Sequence, residues 1–131
     1  MADFYDIINS WVEQTEEKLD DVLQTVVIMV GKSVVTLSPV DTGLFRGNWQ
    51  LTYSGADGPR NVFDQTGGPT IAEITAKAKT FTAGQVAHIQ NHIFYGHDLE
   101  YGSSKQAPKG MVRITAARFN QIVSEALALH V

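Results

Sequence analysis

The chain contains no cysteine among its 131 residues, which excludes disulfide bonds, thiolate metal ligands and cysteine nucleophiles. Proline is also scarce, and the first of the four prolines is Pro39, so no proline interrupts a helix before that position. Hydrophobic runs are short, and none approaches the roughly 20 apolar residues that a membrane-spanning helix needs. The N-terminus lacks the basic region and apolar core of a signal peptide. We therefore expect no membrane partner.

Basic residues are few, because ten Lys and Arg stand against fourteen Asp and Glu, for a formal net charge of -4. A nucleic-acid binder needs clustered Lys and Arg to neutralise phosphates, so the sequence disfavours that class. The length and the 44% hydrophobic content are typical of one globular domain with a core of its own. We expect a single domain over residues 1–131, with a helical arm at 1–37 and the remaining elements at 38–131.

Apolar residues recur at helical spacing through the arm, at Phe4, Ile7, Ile8, Trp11, Leu19, Val22, Leu23, Val26, Val30, Val34 and Leu37. The polar residues 13–18 indicate a break between a short first helix, which Asp3 would cap, and a long second helix. Val27 and Ile28 widen the apolar face, so we predict that they contact a neighbouring subunit. The alternative is one wide stripe that faces the core of the same chain.

Residues 38–43, SPVDTG, end the long helix, because Pro39 disfavours helical geometry at Ser38. The side chains of Asp41 and Thr42 can bond nearby backbone amides, and Gly43 can adopt a positive φ. Alternation of apolar and polar residues then predicts a strand from Trp49 to Tyr53. The long glycine-rich loop that follows, residues 54–68, carries the predicted interface residues Asp57, Arg60, Phe63 and Asp64.

Three further elements follow the loop: a helix over residues 69–79, a strand over 86–94 and a C-terminal helix over 108–129. Thr70 and Glu73 have the spacing of a capping box for the first helix, and Pro108 suits the first turn of the last. Residues 95–111, which we call the clasp, join the strand to the last helix. Arg113 follows the clasp directly, and we expect it to pair with Glu100 inside the clasp.

His88, His92 and His97 are the strongest candidates for a metal site, and they support the alternative of a small metal-dependent enzyme. In the predicted strand, however, His88 and His92 lie about 13 Å apart at ~3.3 Å per residue. The sequence contains no phosphate-binding glycine loop, dinucleotide fingerprint or nucleophile elbow. We therefore predict no catalytic residue, no metal and no cofactor, and the less favoured enzyme alternative stays open.

Two stretches together resemble a known family. Residues 38–49, SPVDTGLFRGNW, are similar to the helix-to-strand turn of tailed-phage neck and minor tail proteins of the siphovirus type. Residues 95–113, YGHDLEYGSSKQAPKGMVR, are similar to the C-terminal signature of the same family. The order of helix, turn, strand, variable loop, strand, clasp and helix also matches. Gly96 is a small departure, since the family often has alanine there.

The resemblance implies an α+β fold in which the long N-terminal helix and the C-terminal helix pack on a small, mostly antiparallel β-sheet. It implies a non-enzymatic virion protein of a tailed phage or prophage, a neck (head–tail connector) or tail-completion component that joins the capsid portal side to the tail. The expected partners are copies of itself in a hexameric or dodecameric ring and neighbouring connector and tail proteins. Genome DNA would pass through the lumen without specific binding.

The expected location is the head–tail junction of the virion, after synthesis in the host cytoplasm. A small host-side helical interaction module, also without enzymatic activity, is the main alternative. Within the two stretches we expect the fold to be defined by Asp41, Thr42, Gly43, Trp49, Tyr95, Tyr101, Gly102 and Pro108.

Overall fold

The computed structural model describes residues 5, 6, 8, 16–55 and 58–130 of the chain. The predictions for Asp3, Asp57 and most of the break at 13–18 lie outside the described residues. The described elements, in chain order, are α1 (Glu16–Leu37), a 3-10 helix (Arg46–Asn48), β1 (Trp49–Thr52), α2 (Gly68–Ala78), β2 (His88–Asn91), α3 (Gly96–Glu100), α4 (Val112–Ala117) and α5 (Phe119–Leu129). The α+β class is confirmed.

Helix α1 has 22 residues, or about 33 Å at 1.5 Å per residue, and it ends at Leu37 as predicted. It lies between two groups of buried side chains. On one side Val22 and Val26 pack against α5, and on the other Val27, Val34 and Val35 pack against the sheet and α2. This two-sided packing explains the wide apolar face. It corrects the prediction of a subunit contact at Val27, which is buried in its own chain.

Ile28, the second residue of that prediction, is partly buried against the same core. The wide apolar stripe of α1 is therefore occupied mainly by contacts within the chain. None of the described helices has both the length and the apolar character needed to cross a lipid bilayer.

Strands β1 and β2 pair antiparallel, with Leu51 opposite Ile89 and Trp49 opposite Asn91. Both strands lie where alternation placed them but are shorter than predicted. The Asn91 side chain accounts for the end of β2: its Nδ2 donates to the Phe45 carbonyl (2.8 Å) and its Oδ1 accepts from the Ile93 amide (3.1 Å). These bonds turn the chain away from the sheet after Asn91.

The C-terminal helix differs from its prediction, because α4 and α5 are separated at Arg118 and Pro108 lies in a turn before α4. The Thr115 hydroxyl is hydrogen-bonded to the Met111 carbonyl (2.8 Å) and to the Ser33 hydroxyl of α1 (2.7 Å). Threonine bonds of this kind to the preceding turn bend helices. The clasp also contains the short helix α3, which was not predicted.

Candidate functional site

The two stretches that carry the resemblance meet in space, and their junction is the candidate functional site. The Gln106 side chain in the clasp accepts from the Val40 amide at Oε1 (2.9 Å) and donates to the Val40 carbonyl from Nε2 (3.0 Å). Two bonds to one residue's backbone imitate strand pairing and fix the relative position of the segments. Beside them lies a cavity of about 310 Å³, lined among others by Pro39, Asp41, Thr42, Leu44, Tyr95 and Ser104.

Gly43 determines the path of the turn. Its φ is +90°, and its carbonyl accepts from the amides of Gly47 (2.9 Å) and Asp64 (3.0 Å). A Cβ at this position would lie 2.5 Å from the carbonyl carbon of Asp64, so only glycine fits without displacement of the backbone. The Thr42 hydroxyl accepts from the Leu44 amide (3.3 Å), as expected of a turn residue.

Asp41, by contrast, is exposed, and its carbonyl accepts a long bond from Gln65 Nε2 (3.4 Å). The stronger connection between turn and loop is Arg46. Its guanidinium donates to the carbonyls of Gln65 (2.7 Å) and Ser38 (2.9 Å), and so it satisfies backbone oxygens at the end of α1. Sequence reasoning did not select Arg46, although it is the only arginine of the SPVDTGLFRGNW stretch.

Trp49 links the start of β1 to the end of α1. Its indole Nε1 donates to the Ser38 hydroxyl (2.7 Å), which in turn donates to the Val34 carbonyl (2.6 Å). All of these groups are buried. The chain of bonds therefore satisfies two polar side chains inside the core and fixes the direction of the strand relative to the helix.

Asp64 caps α2 from outside the helix. Its carboxylate accepts from the amides of Gly67 (2.8 Å) and Thr70 (2.9 Å) and from the Thr70 hydroxyl (2.6 Å). Burial alone would raise the pKa of Asp64, but these bonds together with one from Thr66 outweigh it, so the pKa lies below its ordinary value.

The predicted capping box of Thr70 and Glu73 is wrong, because the N-cap position of α2 is Gly67. Asp64 is buried and bonded within its own chain, which corrects its prediction as an interface residue.

Glu100 caps the start of α4 from outside the helix, as Asp64 caps the start of α2. Its carboxylate accepts from the amides of Met111 (2.9 Å), Val112 (2.8 Å) and Arg113 (3.0 Å) and from Arg113 Nε (3.1 Å). The predicted pairing of Glu100 with Arg113 is confirmed. Burial would raise the pKa of Glu100, whose side chain is 15% exposed, but these donors hold the pKa below its ordinary value.

The two clasp tyrosines occupy different environments. Tyr95 is half-buried, and its ring packs against Phe45 of the turn at a centroid distance of 6.0 Å. Tyr101 is exposed, with the Arg113 guanidinium 4.6 Å from its ring centroid. Gly102, which follows it, has a φ of +92° and passes close to the carbonyl of Pro108. Tyr95 thus joins the clasp to the turn, while Gly102 and Pro108 close the clasp on itself.

The predicted interface residues of the loop differ in how far the chain itself already occupies their side chains. Phe63 is 57% exposed and remains available for a partner. Arg60 is largely used within the chain, since its guanidinium pairs with Glu73 (2.6 Å) and donates to the Gly47 carbonyl (3.1 Å). An exposed aromatic side chain that sequence reasoning missed is Phe94, which is 95% exposed directly before the clasp.

The candidate metal ligands His88, His92 and His97 lie in different parts of the described structure. Over residues 5, 6, 8, 16–55 and 58–130, no three His, Cys, Asp or Glu side chains come together as ligands. His88 lies in β2 as expected, and His92 follows that strand. His97 lies in α3 with its ring 4.6 Å from that of Tyr101. Within the described residues, the three histidines are therefore not gathered into one group of three ligands.

In comparisons with known proteins, no family model, no curated protein and no solved structure matches this chain. A functional assignment therefore depends on the two sequence stretches and on the contacts between them.

Proposed function

We propose that the chain is a virion structural protein of a tailed phage or prophage, a ring-forming neck or tail-completion component between the capsid portal side and the tail. The observation that carries the proposal is the contact between residues 38–49 and residues 95–113. Gln106 and Val40 are 66 positions apart, yet they share two hydrogen bonds. A resemblance in two separate stretches gains weight when both belong to one structural unit.

The chemistry of that unit supports a structural role. Two carboxylates with lowered pKa adjoin it, Glu100 in the clasp and Asp64 in the loop against Gly43, and each accepts three or more hydrogen bonds from neighbouring groups of the chain. A general base needs a carboxylate that is accessible to a substrate proton. These two are instead occupied by helix caps, so the unit is suited to hold segments together and to present the exposed side chains around it.

The proposed assembly is a homo-oligomeric ring of six or twelve copies that contacts neighbouring connector and tail proteins. A head-to-tail contact closes into a ring when its rotation allows. The net charge of -4 suits a ring through which DNA passes, because an acidic inner wall repels phosphate and prevents specific binding. An inner wall that is basic would contradict this part of the proposal.

The test is assembly with virion partners. The purified chain is mixed with the portal-side connector and the tail-side proteins of the same phage or prophage, and the products are measured by light scattering and negative-stain imaging. We expect rings of six or twelve copies, alone or on mixing. A chain that stays indifferent to every virion partner would overturn the proposal.

A matched pair of variants sharpens this test. Phe63→Ser removes the exposed aromatic residue of the loop, while Leu129→Ser removes a similarly exposed residue (67%) at the end of α5. We expect the first to weaken ring formation and the second to leave it unchanged, with both variants melting as the original chain does.

A further inference from the structure

The cavity at the junction of the turn and the clasp has both apolar and polar lining residues. Its volume of about 310 Å³ is at the lower end of the roughly 300–1,000 Å³ of small-ligand pockets, so it suits one side chain rather than a large cofactor. Its apolar lining includes the buried Phe45 and the partly buried Leu99. Such a lining can take the carbon stem of a long side chain.

Asp41 gives this cavity a negative charge. Among the described residues that line it, Asp41 is the only charged one, and none is Lys, Arg or His. Asp41 is exposed, and within residues 16–55 and 58–130 its carboxylate has no hydrogen bond or ion pair, since its bond to Gln65 uses the backbone carbonyl. The cavity therefore attracts a cation, and its lining offers no charge to pair with an anion.

Two hydroxyl groups of the lining add hydrogen-bond acceptors. The Thr42 hydroxyl accepts from the Leu44 amide (3.3 Å), and the Ser104 hydroxyl accepts from the Gln106 amide (3.1 Å). A hydroxyl oxygen has two lone pairs, so each of these oxygens can accept one further bond. A guanidinium group has five N–H donors and no acceptor, and it therefore complements a carboxylate and two hydroxyl oxygens.

The tyrosine that lines the cavity, Tyr95, differs from the other tyrosines of residues 16–55 and 58–130. Lys77 lies 5.1 Å from the ring centroid of Tyr53, and the Arg113 guanidinium lies 4.6 Å from that of Tyr101. Within the same residues, no cation of the chain lies over the ring of Tyr95. Since an aromatic ring attracts a cation to its face, the ring of Tyr95 adds to the attraction of the Asp41 carboxylate.

We propose that this cavity binds the guanidinium group of an arginine side chain from another protein. The guanidinium pairs with Asp41, donates to the hydroxyls of Thr42 and Ser104 and lies against the ring of Tyr95. Arginine fits better than lysine, because its planar group stacks on a ring and donates in several directions at once. The apolar lining favours a protein side chain over a free guanidinium ion, which has no carbon stem. The proposal depends on the cavity and not on the role in the phage neck.

The test is a titration of the ¹⁵N-labelled chain, followed by the NMR shifts of its amides. The probe is the blocked tripeptide acetyl-glycyl-arginyl-glycinamide. We expect shifts concentrated at residues 41–44 and 104–106. The same tripeptide with citrulline, which has nearly the same shape without the charge, should bind about tenfold more weakly, and the lysine tripeptide about threefold more weakly. Equal binding of the citrulline tripeptide would overturn the proposal.

Two variants that remove the same charge separate the cavity from the field of the whole chain. Asp41→Asn should weaken binding of the arginine tripeptide about tenfold. Asp98→Asn removes an exposed carboxylate of α3 that does not line the cavity, and it should change binding by less than about twofold. Equal losses in the two variants would show attraction by net charge alone and would overturn the site.

A last comparison distinguishes the two sources of a guanidinium group. Methylguanidinium lacks most of the carbon stem, so it should bind about fivefold more weakly than the arginine tripeptide. Equal affinity would overturn the assignment to a protein side chain. Binding of the arginine tripeptide by a chain that is indifferent to every virion partner would support the cavity and contradict the phage proposal, so the two inferences fail separately.

Discussion

Replacement of Gly43 by alanine tests the geometry of the turn most directly. Alanine at a φ of +90° incurs backbone strain of about 1–2 kcal/mol. Its Cβ would also lie 2.5 Å from the Asp64 carbonyl carbon and 2.6 Å from the Gln65 nitrogen. Because both neighbours are backbone atoms, no side-chain rotation relieves the contact, and overpacking of this kind adds about 1–3 kcal/mol. We expect Gly43→Ala to lower the free energy of unfolding by about 2–5 kcal/mol.

The control for this variant is Gly84→Ala. Gly84 has nearly the same φ, +98°, but a Cβ there meets no atom within 4 Å. The control therefore isolates the backbone strain, and it should lower the free energy of unfolding by only about 1–2 kcal/mol. Urea unfolding followed by circular dichroism measures both. If the two variants agree within 0.5 kcal/mol (roughly the error of such comparisons), the close approach of Gly43 to the loop is refuted.

Three further predictions concern the polar connections. Glu100→Gln should lower the free energy of unfolding by about 1–3 kcal/mol, since an amide cannot accept all the donors of α4; Arg113→Ala removes only the half-exposed partner and should cost less than about 1 kcal/mol. Equal losses in urea unfolding would contradict the capping role. The lowered pKa values of Asp64 and Glu100 mean that the unfolded chain takes up their protons first, so the stability they give is present above about pH 4 and lost as the pH falls further. Melting temperatures between pH 7 and pH 2.5 should fall less steeply in a variant with Asp64→Asn and Glu100→Gln, and an identical slope would contradict this linkage. Trp49→Phe and Ser38→Ala should show a coupling of about 1 kcal/mol in a double-mutant cycle, and simple additivity would argue against their hydrogen bond.

Elements with local signals were predictable from the sequence. Pro39 and Gly43 mark the end of α1 and the turn, and alternation around Trp49 marks β1, because each signal acts through the backbone of its own or adjacent residues. The same holds for the positive φ of Gly43. The pairing of Glu100 with Arg113 was predictable because both lie at the ends of one punctuated segment.

The remaining features depend on residues that are distant in sequence. The cap of α2 is Asp64, which precedes the helix by a loop turn, and it replaces the local capping box because a buried carboxylate binds two amides at once. The pair of hydrogen bonds between the Gln106 side chain and the Val40 backbone is not indicated by any pattern of neighbouring residues. The two-sided packing of α1, which buries Val27, follows from where α5 and the sheet lie rather than from the helix's own pattern.

Asp64 and Glu100 are positioned in the same way, each beside a glycine of positive φ at which a Cβ would collide with it. Each of these residues lies outside the helix it caps and is closely approached by a glycine of positive φ: Gly43 meets the backbone of Asp64, and Gly110 meets the carboxylate and carbonyl of Glu100. A larger residue at either glycine would displace the carboxylate that fixes the start of α2 or α4. Gly110→Ala strains the backbone at a φ of +84° and places a Cβ against Glu100, so it should lower the free energy of unfolding more than Gly84→Ala does in the same urea titration. The two glycines therefore act through the helix starts that they allow, and equal losses for Gly110→Ala and Gly84→Ala would contradict this role of Gly110.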